Sequence, residues 1–202
     1  MERNPLVVIP SQVDENGIPR KQLVDIHGTP MIVHSWNRAI EAGVGNVIVD
    51  CLDDEIADTV AEAGGYIYKT EPDHHLKSHN YRTESGADRV AATVNKFDRF
   101  YNHDIIINLH DDLPAIDPKY IRALLYPLAN YDVAIATLAC PLSEEEAKDP
   151  NVVKVTVNWQ EGRNVSWIKD SKIGQVLDLT RDTDNPNGEE RYRHIPIYAY
   201  QR

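Results

Sequence analysis

Residues 105–116 read IIINLHDDLPAI, an apolar run that ends on two adjacent aspartates. The apolar part is typical of a buried strand, whereas Asp111 and Asp112 carry charges that are costly to bury without partners. The pair therefore belongs at the exposed end of a strand. From the residues alone two interpretations stay open. Either one aspartate caps the turn near Pro114 and the other is solvated, or one of them binds Mg²⁺ that also contacts a phosphate.

Strand-like and helix-like segments alternate around this run. Apolar strands are predicted at 5–10, 46–51, 66–70, 104–109 and 133–139, and amphipathic helices at 30–42, 54–65, 85–97 and 118–130. Continuous apolar strands separated by amphipathic helices indicate a parallel sheet with helices on both faces. The predicted fold class is α/β, a three-layer nucleotide-binding fold with a mainly parallel central sheet.

The pattern changes after Cys140. The run SEEEAKD predicts a short exposed helix, and the runs VVKVTVNW, VSWIKD, QVLDL and IPIYAY predict strands. These later strands follow one another without long helices between them, so we expect them to extend the sheet in an antiparallel manner.

Composition narrows the function classes. With 202 residues, 42% of them hydrophobic, and no Ser/Gly-rich or Pro-rich linker, the chain is predicted to form a single domain over 1–202. A formal charge of −11 argues against nucleic acid or an anionic membrane surface as a partner.

Cys51 and Cys140 lie far apart in apolar contexts, which favours free thiols. The sequence shows no signal peptide or membrane-spanning run, so we expect a cytoplasmic protein.

Three segments are expected at the carboxyl ends of the strands, where open α/β sheets bind ligands: 11–22, 71–89 and 110–112. The first is a polar loop that contains Arg20 and Lys21. Lys21 is either a phosphate ligand, assisted by backbone N–H groups, or part of a solvated basic pair.

The middle segment leads into a helix. Ser85 and Asp88 have the spacing of a capping box, which leaves Arg89 to face either a ligand or solvent. Upstream, His75 and His79 have the spacing of two zinc ligands on a helix, but no third ligand has an obvious spacing. A polar loop is therefore the favoured interpretation of these histidines.

A series of eight short motifs runs through nearly the whole chain. They are VVIP (7–10), the Lys21-containing run at 19–34, AGG (63–65), SGADRV (85–90), NLHDDLPAI (108–116), ATLACP (136–141), DPNVVKV (149–155) and RHIPIYAY (193–200). Together they resemble the 3-deoxy-manno-octulosonate cytidylyltransferases, also called CMP-Kdo synthetases.

The resemblance implies a nucleotide-diphospho-sugar transferase-like fold and a sugar-activating reaction. CTP and Mg²⁺ bind at the strand ends, the anomeric hydroxyl of 3-deoxy-manno-octulosonate (Kdo) attacks the α-phosphate, and CMP-Kdo and pyrophosphate form for lipopolysaccharide synthesis. It also implies a homodimer, with residues 141–202 contributing dimer contacts and elements on the sugar side.

The resemblance assigns roles to particular residues. Lys21 and Asp112 are the expected catalytic residues, and Asp112 is the expected metal ligand. The expected nucleotide-binding residues are Pro10, Ser11, Lys21, Ser85, Gly86, Arg89 and His110, and the expected sugar-binding residues are His194, Tyr198 and Lys169.

The chain departs from the family motifs at several polar positions. Gln12, Glu15 and Gly17 stand where the family has Arg, Ser and Arg, and both Arg20 and Asp111 stand where it has glycine. Two further hypotheses therefore stay open beside the CTP-dependent enzyme. One is a non-catalytic nucleotide-binding paralogue of the family. The other is a different nucleotide-sugar transferase that uses the HDD run as its metal motif.

Overall fold

Residues 3–13, 20–69 and 86–202 are described by the structure, a computed structural model, and eight of their strands form one sheet. The strands are β1 (Pro5–Ser11), β2 (Asp25–Ile26), β3 (Thr29–Pro30), β4 (Asn46–Cys51), β5 (Tyr66–Lys69), β6 (Ile105–Leu109), β7 (Ile135–Pro141), β8 (Lys154–Trp159), β9 (Gly174–Thr180) and β10 (Arg191–Gln201). The helices are α1 (Met31–Ala42), α2 (Asp54–Glu62), α3 (Gly86–Phe97), α4 (Pro118–Ala123) and α5 (Glu144–Ala147). Among these described helices, none has the length and apolar character needed to cross a membrane.

The centre of the sheet is parallel. The strand order is β5-β4-β1-β6-β10-β8-β9, and the first four strands run in the same direction. β10 pairs antiparallel with β6, β7 and β8, and β9 extends the sheet beyond β8. β2 and β3 pair separately as a small hairpin. This architecture confirms the predicted α/β class with a mainly parallel centre and antiparallel additions.

Helices cover both faces of the parallel strands. α1, α2 and α4 pack on one face, where Ile9, Ile107 and Ile197 are fully buried. α3 packs on the other face through Val90 and Val94. Alternate residues of each strand point to opposite faces, so both layers are attached to the same strands. Replacing one of these buried isoleucines with alanine is expected to lower the free energy of unfolding by about 2–5 kcal/mol.

β1 is the strand at which the connections change direction. From β1 the chain passes through α1 to β4 on one side, and later it returns through α3 to β6 on the other side. A crevice forms at such a switch point, outside the carboxyl ends of the strands, and open α/β sheets bind ligands there. Ser11 ends β1, and His110–Asp112 follow β6, so both flank this crevice.

Two glycines set the turn between α1 and β4. Gly43 ends α1 with a φ of 61°, in the left-handed region that glycine adopts without steric cost. Gly45 lies so close to β1 that a Cβ added to it would be 2.0 Å from the backbone oxygen of Pro5. The turn therefore brings the start of β4 directly beside the start of β1.

The helix predicted at 118–130 is shorter than expected. α4 ends at Ala123, and a 3-10 turn follows at Pro127–Ala129. Pro127 lacks the N–H that would bond to Ala123, and its ring would meet that carbonyl in a continuous α-helix. The periodic apolar pattern continues past this point, but the backbone cannot follow it.

The prediction of a strand at VSWIKD, residues 165–170, is wrong. These residues form turns in the connection between β8 and β9. The hydroxyl of Ser171 accepts from Val165 N at 2.9 Å and donates to Val165 O at 3.0 Å, which closes the chain on itself. Asp170 has a φ of 58°, which is incompatible with an extended strand. β7 also begins later than predicted, at Ile135.

Both cysteines are free thiols, as predicted. Cys51 is buried at the end of β4, and Cys140 is partly exposed in β7. Burial, together with the neighbouring Asp50, raises the pKa of Cys51 to about 11. The thiol of Cys51 is therefore uncharged at neutral pH and is a packing group rather than a nucleophile.

At the amino end of the parallel strands, Asp98 ties the connection between α3 and β6 to the end of β10. Its buried carboxylate accepts from the backbone N–H groups of Asn102 at 2.9 Å and His103 at 3.1 Å. Arg202 Nη1 donates to Asp98 Oδ2 at 2.6 Å. Burial alone raises the pKa of Asp98, but the backbone hydrogen bonds from Asn102 and His103 and the His103 side chain outweigh burial and hold the pKa below its usual value.

We expect Asp98→Asn to lower the free energy of unfolding by about 2–3 kcal/mol at neutral pH, because hydrogen bonds to a charged group are lost. The folded-state pKa is depressed, so this stabilisation is present above the unfolded-state pKa of about 3.9 and is lost as the pH falls through the folded-state value. Urea denaturation from about pH 7 to about pH 3 measures the free energies of unfolding of the wild type and the variant, which should converge as the pH falls. Glu161→Gln, at an exposed position, is the control, and a pH-independent difference for Asp98→Asn would contradict the expectation.

Candidate functional site

The carboxyl ends of three neighbouring strands meet at the crevice. β1 ends at Ser11, β4 ends with Asp50 and Cys51, and β6 leads into His110–Asp112. Pro10 and Asp50 are register partners across β1 and β4. The start of the first predicted loop and the HDD run therefore lie at the same edge of the sheet.

Lys21 and Asp112 face each other in this region. Lys21 Nζ is 2.9 Å from Asp112 Oδ2, and the two side chains are 37% and 39% exposed. Lys21 begins the 3-10 helix Lys21–Leu23, and the preceding Arg20 has a left-handed φ of 56°. An exposed ion pair contributes about 0–1 kcal/mol, so a phosphate or a cation can replace either partner. The two expected catalytic residues are adjacent and accessible.

Asp111 points into the protein instead. Ser11 Oγ donates to Asp111 Oδ2 at 2.7 Å, and the nearby Gln22 side chain lowers the pKa of the same carboxylate. Ser35 Oγ, on α1, donates to the backbone oxygen of Asp111 at 2.7 Å. Burial raises the pKa of Asp111, and the charge of Asp112 raises it further, whereas the hydrogen bonds and a nearby lysine act in the opposite direction. The two adjacent aspartates thus have different environments.

Arg89 forms a buried ion pair with Asp50. The side chains are 9% and 0% exposed, and Arg89 Nε donates to Asp50 Oδ2 at 2.8 Å. Arg89 Nη2 donates to the backbone oxygens of Asp50 at 2.8 Å and Ser11 at 2.9 Å. Arg89 Nη1 donates to Gln12 Oε1 at 3.3 Å, and Thr93 Oγ1 donates to Asp50 Oδ2 at 2.9 Å. The guanidinium therefore joins α3 to the ends of β1 and β4, and a contact with nucleotide stays a prediction.

His194 and Tyr198 lie side by side on β10, with their ring centroids 5.2 Å apart. Burial lowers the pKa of His194, and His110 lowers it further, so the imidazole is neutral near pH 7. Burial raises the pKa of Tyr198, so its phenol keeps its hydrogen. Thr137 Oγ1 is 2.9 Å from His194 Nε2 and donates to Ile197 O at 2.8 Å. When the hydroxyl hydrogen points to Ile197 O, the matching tautomer of His194 carries its hydrogen on Nε2 and presents Nδ1 as an acceptor.

The other predicted site residues are not joined to these groups. Gly86 is exposed as the first residue of α3. Lys169 is exposed in the turn between β8 and β9, and within the described ranges no hydrogen bond or ion pair links it to the β10 residues. Ser85 lies outside the described residues, as do His75 and His79 of the alternative zinc site.

The buried partners at this edge have only weak signals in the sequence. Asp50 ends the apolar run NVIVD much as Asp111 follows IIINLH, and a charge at the end of a buried strand needs a partner. Gln22 and Thr137 have no such signal. Their partners are distant in sequence, and periodicity describes only near neighbours.

Asp112 is the described carboxylate best placed for a divalent cation. It is exposed at the crevice, whereas Asp50 and Asp111 are turned toward protein donors. In the described part of the chain, no group of three or more His, Cys, Asp and Glu side chains is arranged to hold a metal. Mg²⁺ needs only one or two carboxylates when phosphate oxygens and waters complete its shell. These residues therefore fit Mg²⁺ that arrives with a nucleotide.

Comparison with known sequences gives a match along nearly the entire chain. Residues 6–202 match the cytidylyltransferase family. The 3-deoxy-manno-octulosonate cytidylyltransferase of Paramagnetospirillum magneticum is 40% identical over 202 residues, which are 100% of this chain and 75% of that protein. The protein of the same name from Rhodospirillum centenum is 44% identical over 202 residues, with 99% of this chain and 72% of that protein covered.

A solved structure agrees with these sequence matches. The structure of CMP:2-keto-3-deoxy-manno-octonic acid synthetase complexed with CTP aligns with a TM-score of 0.77 and 33% identity. The alignment covers 98% of this chain and 74% of that chain. The likeness confirms the predicted nucleotide-diphospho-sugar transferase-like fold, and it includes the antiparallel strands as well as the parallel centre.

We expect Asp111→Asn to stabilise the protein by about 1 kcal/mol near pH 8, because it removes a buried charge while its oxygen still accepts from Ser11. The new amide can also donate to Gln22 Oε1, which is buried without a partner. The folded-state pKa of Asp111 is raised, so the wild type gains stability as the pH falls through that value and the advantage of the variant shrinks.

Melting temperatures measured from about pH 8 to about pH 4 test this expectation. Asp112→Asn is the control, because its carboxylate is exposed and its replacement should change the melting temperature little. An Asp111→Asn protein that melts below the wild type near pH 8 would show that the ionised carboxylate is favourable in its site.

Proposed function

Because the chain belongs to the 3-deoxy-manno-octulosonate cytidylyltransferase family, we propose that it transfers a cytidylyl group from CTP to Kdo, forming CMP-Kdo and pyrophosphate for lipopolysaccharide synthesis. One observation carries the proposal. Within a match that covers the whole chain, a lysine and an aspartate lie 2.9 Å apart at the crevice where α/β sheets bind nucleotides.

Lys21 and Asp112 are proposed to act on the triphosphate. Lys21 Nζ donates to phosphate oxygens and neutralises their charge, and its weak ion pair with Asp112 is exchanged for these stronger contacts. Asp112 is then free to hold Mg²⁺, which supplies further neutralisation of the phosphate charge when bound. The reaction requires mainly positioning and electrostatic stabilisation, so no covalent enzyme intermediate is needed.

The sugar is proposed to bind at β10. The hydroxyl oxygen of Kdo forms a bond to the α-phosphorus, the bond to the bridging oxygen of pyrophosphate breaks, and the hydroxyl proton is released. We assign the proton to Nδ1 of His194, which is neutral near pH 7 and free to accept. The phenol of Tyr198 donates to the sugar, and Lys169 offers a positive charge for its carboxylate.

The nucleotide is proposed to lie along the strand ends. Pro10 and His110 border the crevice, and Gly86 at the start of α3 lets the nucleotide approach the backbone closely. Ser85 is proposed to contact the base side. Ser11 and Arg89 contribute through the contacts that hold the end of β1.

We expect Lys21→Ala and Asp112→Asn to impair the reaction in different ways. Lys21→Ala removes a charged donor to phosphate, so CTP binding should weaken about 10- to 100-fold, with or without Mg²⁺. Asp112→Asn should lower kcat about 100-fold and should raise the Mg²⁺ concentration needed for half-maximal rate. Pyrophosphate release with CTP, Kdo and Mg²⁺ measures the rates, and calorimetry measures CTP binding.

The exposed Lys148→Ala is the control for the loss of a lysine charge and should leave rate and binding unchanged. Unchanged CTP binding in Lys21→Ala would contradict the phosphate assignment. A wild-type protein that binds CTP but releases no pyrophosphate with Kdo would favour the non-catalytic paralogue, and release with another sugar only would favour a different nucleotide-sugar transferase.

We propose that residues 1–202 act as one cytidylyltransferase-like domain in the cytoplasm, where CTP is made, and that the additions at 141–202 build a homodimer. β9 pairs only with β8 among the described strands, and its residues Leu177 and Leu179 are 61% and 41% exposed. Trp167 is 53% exposed. An apolar strand edge of this kind readily pairs with a second copy.

Leu177→Asp should convert the dimer to a monomer at about 10 µM protein, because a charge buried at an interface is costly. Phe100→Asp is the matched control: Phe100 is 86% exposed and lies in the connection between α3 and β6, so the dimer should persist. Sedimentation equilibrium measures both masses. A wild type that is monomeric at this concentration would contradict the proposed dimer.

A further inference from the structure

Two buried residues flank the segment that carries Lys21. Ser11, at its first end, is 1% exposed, and Gln22, at its second end, is 4% exposed. Both side chains therefore face the protein rather than the crevice. Ser11 and Gln22 together are called the loop base below.

Asp111 connects the two halves of the loop base. Its carboxylate accepts from Ser11 Oγ at 2.7 Å, and the buried Gln22 side chain lies near enough to lower the pKa of that carboxylate. Its backbone oxygen accepts from Ser35 Oγ at 2.7 Å, which attaches the same residue to α1. The turn after β6 is therefore hydrogen-bonded to Ser11 and to α1, and it lies beside Gln22.

This unit determines how the exposed pair is placed. Lys21 directly precedes Gln22, Asp112 directly follows Asp111, and Lys21 Nζ is 2.9 Å from Asp112 Oδ2. Lys21 is thus the chain neighbour of a buried residue, and Asp112 is the chain neighbour of a half-buried, hydrogen-bonded one. The positions of Lys21 and Asp112 therefore depend on their chain neighbours Gln22 and Asp111.

Asp50 supports the loop base from the side of β4. Its buried carboxylate holds Arg89 Nε at 2.8 Å, and Arg89 donates to the backbone oxygen of Ser11 at 2.9 Å and to Gln12 Oε1 at 3.3 Å. A buried ion pair adds little stability over apolar packing of similar volume. Because Arg89 of this pair contacts Ser11, we infer that the pair orients the end of β1.

We propose that Asp50 and Asp111 are positioning residues that hold the loop base, and through it keep Lys21 in register with Asp112 for the triphosphate. The inference rests on the proposed cytidylyl transfer and adds to it the groups that organise the phosphate site. Neither carboxylate is required to touch the substrate. Asp50 acts through Arg89, and Asp111 acts through Ser11 and Gln22.

The test compares pyrophosphate release, CTP dependence and melting temperature for Asp111→Ala, Asp111→Asn, Asp50→Asn and Thr93→Val. Thr93 is the matched control, because its hydroxyl donates to Asp50 Oδ2 at 2.9 Å without touching the loop base. We expect Asp111→Ala and Asp50→Asn to lower kcat/KM about 10- to 100-fold, mostly through KM for CTP, because Lys21 is displaced. Asp111→Asn keeps the acceptor for Ser11, so its kcat/KM should fall several-fold less than that of Asp111→Ala.

Thr93→Val should lower the melting temperature while kcat and KM stay within about twofold of wild type. If Asp111→Ala and Asp50→Asn likewise change only the melting temperature, both aspartates are structural residues and the inference is overturned. If Asp50→Asn does not fold, the difference in kcat/KM between Asp111→Ala and Asp111→Asn decides whether Asp111 is a positioning residue. A wild type that releases no pyrophosphate refutes the proposed function and this inference with it, whereas an active wild type with unchanged kinetics in the variants refutes the inference alone.

Discussion

The parallel pairing of β1 with β4 and β6 is the constraint on which the rest of the structure depends. Because these strands point in the same direction, their carboxyl ends meet at one edge of the sheet. The loops that leave this edge carry Lys21 and His110–Asp112, so residues far apart in the sequence become neighbours. Reversing β6 would move Asp112 to the opposite edge and separate it from the lysine.

The charged residues at this edge of the sheet differ in how deeply they are buried. Asp50 and Arg89 are buried and paired with each other, and Asp111 is half-buried and bonded to Ser11, whereas Lys21 and Asp112 are more exposed and paired only weakly. The inner contacts resist movement because breaking one leaves a buried charge without a partner. The outer contacts exchange easily because water and ligands compete for them. Rigid support and replaceable contacts are thus combined within a few residues.

Sequence patterns were sufficient for the features that depend on near neighbours. The strand at 46–51 was predicted with its observed bounds, because a buried parallel strand is a continuous apolar run. Prediction failed where one residue overruled its surroundings, as Pro127 did for a helix and Ser171 did for a strand. The expected lysine and metal aspartate came from motifs. The ion pair of Asp50 with Arg89 joins separate segments, and no periodic pattern encodes such a contact.

β10 has a consequence for the synthesis of the protein. It is the strand that joins the parallel centre to the antiparallel part, since it pairs with β6, β7 and β8. The ribosome releases β1, β4, β5 and β6 well before β10, so a nascent chain passes through a stage in which the outer edge of β6 has unpaired backbone groups. Contacts between segments this far apart in the chain also form slowly. Until β10 pairs with β6, the unpaired edge favours strand exchange between copies and aggregation.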